Sequence, residues 1–230
     1  MFSGITSGVV ATSASVAGLY VGTSGFSYPP WRGEFYPAEA KPADFLRFYS
    51  ERLPSVELNT SFYQLPSEEQ FRRWAEQTPS EFRFAVKMSR RITHFGRLEL
   101  VGTFCESVRA LGDKLGPILI QFPPTRPPDE GMLQLLQESL DPELSYAFEF
   151  RNETWDGVDV PVCVNSLEGD SPFRYLRLRE PPYDDEALAG WAERLCPLLE
   201  DGIQVYCYFK HEDEPTAPQY AERLLELLNR

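Results

Sequence analysis

From residue 19 onward, short apolar runs alternate with longer stretches whose apolar residues recur at helical spacing. Strands are expected at 19–23, 56–59, 82–88, 117–122, 146–151, 160–165, 173–179 and 203–210. The helical stripes between them include Phe45, Phe48 and Tyr49, then Phe71 and Trp74 behind a Ser67 cap, then Phe104, Val108 and Leu111. Met132, Leu135 and Leu136, then Leu188, Trp191 and Leu195, and finally residues 220–228 complete the series. Eight strands alternating with helices in one chain of 230 residues predict an α/β fold, a closed parallel TIM-type (β/α)8 barrel. The open dinucleotide-binding sheet lacks its glycine-rich turn here. Between the fifth and sixth strands only residues 152–159 remain, fewer than the roughly 10 to 12 that a crossover with its helix needs. That helix is therefore expected to be missing or much shortened. Residues 1–18, uncharged and without either period, read as a flexible extension to a single domain at 19–230.

Polar residues interrupt this pattern where a plain core strand would carry Val or Ile. Side chains alternate across a strand, so Glu57 and Asn59 share one face while Val56 and Leu58 share the other. Glu149 and Arg151 likewise lie on the face of Ala147, opposite Tyr146, Phe148 and Phe150. A buried carboxylate costs several kcal/mol, roughly, unless it is paired, so such positions mark a site or an internal ion-pair network. The same parity adds Lys87, Gln121, Asn165, Arg177, Tyr208 and Lys210, giving ten polar residues from seven strands that converge at the carboxyl ends, where barrel enzymes hold their chemistry. Glu57, Glu149 and Lys87 are the candidate catalytic residues. Asn59, Gln121, Arg151, Arg177, Tyr208 and Lys210 are candidate ligand contacts, joined by the loop residues Tyr28, Trp31, Tyr63, His94 and Trp155.

Composition narrows the chemistry. A net charge of -13 disfavours nucleic acid as a partner and opposes an anionic membrane surface. Counting Lys87, Arg151, Arg177 and Lys210 against Glu57 and Glu149, the strand ends are nonetheless expected to be locally positive. The four cysteines are widely spaced without a Cys-x-x-Cys pair, which fits a reduced, cytoplasmic setting. No apolar run reaches the length of a membrane span. With His94 and His211 as the only histidines, multi-zinc hydrolase sites are excluded. No metal and no cofactor is expected. Glu57 and Glu149 could form a glycosidase pair, but three cations on the same face make salt bridging the more economical explanation.

The ordered runs from Tyr20 through Tyr28 with Trp31, from Phe35 through Pro37, and from Val56 through Asn59 with Phe62 and Tyr63 resemble one known family. So do Lys87 with Ile92, Thr93 and His94, the run from Gln121 through Pro124, Glu149 through Arg151 with Trp155, and Tyr175 through Arg177. Together they resemble the domain of unknown function 72 (YecE-like) family. The resemblance implies a barrel of the TIM type and a cytoplasmic protein without an established activity. Similarity of that family to endonuclease IV and sugar isomerase barrels implies, at most, nucleic-acid processing. The chain departs from the family pattern at Asn152, at Arg179 and Glu180, and at Lys210 and His211, where histidine, His-Gly and an Asn pair would stand.

Two readings follow. The first is an enzyme acting on a phosphate- or carboxylate-bearing ligand, by hydrolysis or isomerisation, with Glu57 or Glu149 as general acid or base and the cations holding the anion. The second is a binding or interaction protein that keeps the pocket without the chemistry. Single-stranded nucleic acid, stacked on Tyr28, Trp31, Tyr63 and Trp155, is a further reading that the net charge opposes.

Overall fold

The computed structural model describes residues 16–125, 127, 129–155, 158–210 and 215–229, the side chain of Glu153 excepted. Most of the expected extension, residues 1–15, and His211 lie outside the described residues.

Among the described residues seven strands form one parallel sheet: β1 (Leu19–Ser24), β2 (Ser55–Leu58), β3 (Arg83–Lys87), β4 (Leu115–Phe122), β5 (Tyr146–Phe150), β6 (Phe173–Leu178) and β7 (Gln204–Phe209). Their order is β5-β4-β3-β2-β1-β7-β6, with β1 paired to both β2 and β7, so the sheet curls into a nearly closed barrel. Eight helices accompany it: α1 (Phe45–Ser50), α2 (Thr60–Tyr63), α3 (Glu68–Glu76), α4 (Arg90–Thr93), α5 (Val101–Val108), α6 (Glu130–Ser139), α7 (Asp185–Glu200) and α8 (Thr216–Leu228). The Ser67 cap is present, its hydroxyl accepting the Gln70 N–H at 3.2 Å.

Alternation along the strands creates two cores. Outward residues such as Val21, Val56, Leu58, Ile118, Ile120 and Phe148 pack against the helices. Inward residues Ala85, Leu119, Ala147, Phe173, Tyr175, Tyr206 and Tyr208 fill the barrel. At Gly22 the strands approach too closely for any side chain, since a Cβ would stand 1.8 Å from the Ser55 carbonyl oxygen and 2.8 Å from the Tyr49 hydroxyl.

The strand expected at 160–165 is not one. This stretch makes a single bridge, Phe148 to Cys163. The Phe148 N–H donates to the Val162 carbonyl and the Val164 N–H to the Phe148 carbonyl, both at 2.8 Å. On the other side the Asn165 N–H donates to the Tyr175 carbonyl at 2.9 Å, and the Asn165 side chain accepts the Arg177 N–H at 2.7 Å. The segment thus spans the gap between β5 and β6 with one residue pair and an amide side chain in place of a ladder. Pro161 has no N–H to contribute, and Asn165 sits at φ 67°, which turns the chain away. Between β5 and Val160 the described residues hold one 3-10 turn, Glu153–Trp155.

Candidate functional site

Six strands deliver a polar side chain to the carboxyl end of the barrel: Ser24, Glu57, Lys87, Gln121, Glu149 and Arg177. The register puts them in one layer, with Ser24 beside Glu57 and Gln121 beside Glu149. Tyr175 and Tyr208 form the layer beneath, where Tyr208 shares a 2.6 Å hydrogen bond with Ser55.

Glu57 is fully buried and saturated. Its Oε1 accepts from Arg177 Nη2 at 2.9 Å, from Asn59 Nδ2 at 3.3 Å and from the Ser24 hydroxyl. Its Oε2 accepts from the Tyr175 hydroxyl at 2.8 Å. Burial pushes this carboxyl up, but the Arg177 charge and the hydrogen bonds from Ser24, Arg177 and Tyr175 outweigh it and hold the group below the usual carboxylate range. Burial likewise opposes the charge on Arg177, yet Glu57 and Glu149 hold it protonated more firmly than usual. Glu149 accepts from Arg177 Nη1 and Gln121 Nε2 on one oxygen and from Arg179 Nη1 at 3.0 Å on the other. The result is a chain Glu57–Arg177–Glu149–Arg179, closed at its inner end and reaching the solvent at Arg179, whose side chain is 29 % exposed. Arg179 is loosened by burial and by the neighbouring Arg177 charge, against Glu149.

Lys87 stands beside this chain without joining it. Among the described residues its Nζ has one hydrogen-bond partner, the Gln121 side-chain oxygen at 2.7 Å, and lies 3.9 Å from the centre of the Phe62 ring. Only 8 % of the residue is exposed. Burial, with Arg177 adding to it, lowers this ammonium to about 8, against the opposing pull of Glu57 and Glu149.

The other sequence-derived candidates divide. Asn59 joins the network, donating to Ser24 Oγ at 3.1 Å as well as to Glu57. Arg151 and Lys210 have the inward parity, but β5 ends at Phe150 and β7 at Phe209, and both are exposed beyond the strand ends. Tyr63 is 67 % exposed beside Arg90, and His94 is half-buried with Nδ1 2.8 Å from the Thr93 hydroxyl and its ring against Phe62. Trp31 is fully buried in an aromatic cluster with Phe35 and Tyr36, and Trp155 is buried against Phe122 and Phe150. As ligand-facing rings these two are corrected to core residues. Tyr28 is half-buried, donating from its hydroxyl to the Ser24 carbonyl at 2.8 Å. It lines, with Asn59, Gln64, Gln70 and Trp74, a cavity of about 950 Å3 beside the barrel mouth. Asn165 is tied to the β6 backbone, through the Tyr175 carbonyl and the Arg177 N–H, rather than standing with the pocket residues. Ser24, Tyr175 and Arg179 were not among the site residues that parity selected; Ser24 and Tyr175 share the face of Gly22 and Arg177, a signal hidden because hydroxyls are common inside barrels.

Among the described residues no group of three or more His, Cys, Asp or Glu side chains could hold a metal ion, and no helix is long and apolar enough to cross a membrane.

A family model described as "Protein of unknown function DUF72" matches residues 20–168 and 157–230, so its two matches overlap within the irregular stretch before β6. The chain is 32% identical over 139 residues to UPF0759 protein YecE of Escherichia coli K12, covering 58% of this chain and 48% of that protein. It is 27% identical over 150 residues to UPF0759 protein YunF of Bacillus subtilis, covering 60% and 52%. The chain thus spans about half the length of the curated relatives it matches. A DUF72 family protein from Thermotoga maritima superposes with a TM-score of 0.73 at 26% identity, over 92% of this chain and 99% of that one. One from Enterococcus faecalis gives 0.73 at 20% identity, over 92% and 96%. With the family model covering nearly all of the barrel, the chain belongs to the DUF72 family.

Proposed function

We propose that the chain binds a small phosphate- or carboxylate-bearing ligand at the carboxyl ends of the barrel strands, held by Lys87 and Arg179 at the open side of the ion-pair chain. One observation carries this reading: both carboxylates of the site are saturated by donors, while Lys87 retains N–H capacity beyond its single acceptor among the described residues. With Arg177, Arg179 and Lys87 against Glu57 and Glu149, the cluster sums to +1 inside a chain of -13. Arg151 and Lys210 add cations at the rim.

Glu57, fully buried and held ionised, is unsuited to exchange protons as a general acid. For hydrolysis or isomerisation of such a ligand, the proton-exchanging group this geometry offers is Lys87. A pocket that binds without turnover is the second reading, favoured by the same saturation of Glu57 and Glu149. Single-stranded nucleic acid loses two of its four expected stacking platforms, because Trp31 and Trp155 are core residues. We read the barrel as the TIM type with its connection after β5 reduced to the 3-10 turn, supported by that turn being the one helical element among the described residues between β5 and Val160. The unpaired Cys105, Cys163, Cys196 and Cys207 support a reducing, cytoplasmic setting.

Thermal unfolding in phosphate, sulfate and chloride at equal ionic strength tests the binding reading. A ligand at 100 times its dissociation constant stabilises by about 2.7 kcal/mol, roughly 5 to 10 °C for a domain of this size. Phosphate or sulfate should raise the midpoint above chloride, and Lys87→Met or Arg179→Met should remove the difference. Equal midpoints in all three salts would overturn the reading.

A further inference from the structure

The chain carries only four lysines, Lys41, Lys87, Lys114 and Lys210, against eighteen arginines. Lys41 and Lys210 are exposed. Lys114 is satisfied by three acceptors, the Ala75 carbonyl, the Thr78 carbonyl at 2.6 Å and the Thr78 hydroxyl at 3.3 Å. Lys87 differs from all three. It is buried in the barrel mouth, and among the described residues no carboxylate forms an ion pair with it and its one hydrogen-bond partner is a neutral amide. The charged groups around it, Glu57 on β2, Glu149 on β5, and Arg177 and Arg179 at the end of β6, are engaged with one another. An ammonium enclosed in this way gains little by keeping its proton.

We propose that Lys87 is a nucleophilic amine that forms an imine with a carbonyl carbon of the ligand, so that the site takes anionic aldehydes or 2-oxo acids. The inference rests on the anion-binding reading for the class of ligand, but not for the reactivity of the amine. The Nζ lone pair adds to the carbonyl carbon, giving a carbinolamine. The former carbonyl oxygen then leaves as water, carrying away both amine protons, and a C=N bond remains. No oxidant or reductant enters. Gln121 orients Nζ, Phe62 covers one side of it, and Arg179 stands where the ligand's anionic group would be met. Lowering of the ammonium to about 8 leaves about a tenth of Lys87 as free amine at pH 7, about 300-fold more than an ordinary lysine offers.

Reductive trapping on the unaltered chain tests this without relying on a variant to fold. The protein is incubated at pH 7 with sodium cyanoborohydride and either glyoxylate or the neutral propanal. Hydride from the reagent fixes any imine as a secondary amine, and peptide mass mapping reports the rate at each lysine separately from the chain's amino terminus. Lys87 should be labelled at least ten times faster than Lys41 and Lys210, with glyoxylate faster than propanal. Labelling of Lys87 no faster than Lys41 with either aldehyde would overturn the inference, even where phosphate stabilises the protein. Fast labelling at Lys87 by both aldehydes at equal rates would uphold the imine while removing the anion preference.

Discussion

Replacing Arg177 by methionine removes the central cation of the ion-pair chain and leaves Glu57, which has no exposed surface, facing a hydrocarbon. Breaking a buried pair by deleting one partner costs about 3 to 5 kcal/mol, because the surviving charge is stranded rather than because the pair itself is worth that much. For a domain of this size the cost corresponds to a fall in melting temperature of roughly 6 to 20 °C. Glu149 is less affected, since Arg179 and Gln121 still donate to it. The sign of the pH dependence distinguishes this mechanism from simple loss of packing. In the unaltered chain Glu57 is held below its unfolded value, so its contribution is complete above about pH 4.3 and is lost as pH falls through the folded value. In Arg177→Met the burial that opposes ionisation is no longer balanced by the guanidinium, and Glu57 is pushed up. The variant therefore recovers stability as pH falls through that raised value, and the gap between the two proteins narrows from pH 7.5 to pH 5. Urea unfolding followed by tryptophan fluorescence at the two pH values measures it. A gap below 1 kcal/mol at pH 7.5, or a gap that stays constant to pH 5, would refute the reasoning.

Three further substitutions address the frame that holds the site. Gly22→Ala drives a Cβ into the Ser55 carbonyl at 1.8 Å and should cost about 3 kcal/mol or more, seen as loss of soluble protein or an early urea midpoint. Tyr49→Phe leaves the Thr23 N–H and the Ser55 carbonyl without the hydroxyl that lies 2.8 and 2.9 Å from them, which should cost about 1 to 3 kcal/mol by the same unfolding assay. Asn165→Ala loses the side-chain bridge to Arg177 at a backbone φ of 67° and should cost about 2 kcal/mol, whereas Asn165→Gly, free of the backbone strain, should cost less; equal losses would remove the strain argument.

The barrel was legible because its two faces are written in alternation: Val56 and Leu58 need a helix on one side, and Glu57 needs a polar interior on the other. What alternation could not reveal was whether a run is paired. Val160, Val162 and Val164 alternate as a strand does, yet only Cys163 bridges to β5; on the side of β6, which the Asn165 N–H faces, Pro161 has no N–H to offer, and Asn165 then turns the chain. Loop aromatics were ambiguous for a related reason. Trp31 and Trp155 follow strand ends as ligand-facing rings do, but each is also large enough to roof the outer core, and burial of that much apolar surface decided the outcome.

For the site, parity selected Glu57, Lys87, Gln121, Glu149 and Arg177 correctly as neighbours, and it overreached at Arg151 and Lys210, whose strands stop one residue earlier. It could not say which charges would neutralise which. That distinction matters most at Lys87. A barrel plug made only for stability would be served by arginine, whose planar fork pairs with two carboxylates at once and which stays protonated under burial, and this chain uses arginine at 177 for that purpose. At position 87, on the strand between those that carry Glu57 and Gln121, it places instead one of its few lysines, against a neutral amide and a phenyl ring and, among the described residues, without an ion pair. Lys87→Arg would keep the charge and the reach while fixing the proton. If the position is structural, no lysine of the unaltered chain should label faster than Lys41, and this exchange should leave stability and the fastest labelling rate unchanged. If the amine is the chemically active group, the arginine variant should fold to comparable stability and lose the fast-labelled site altogether.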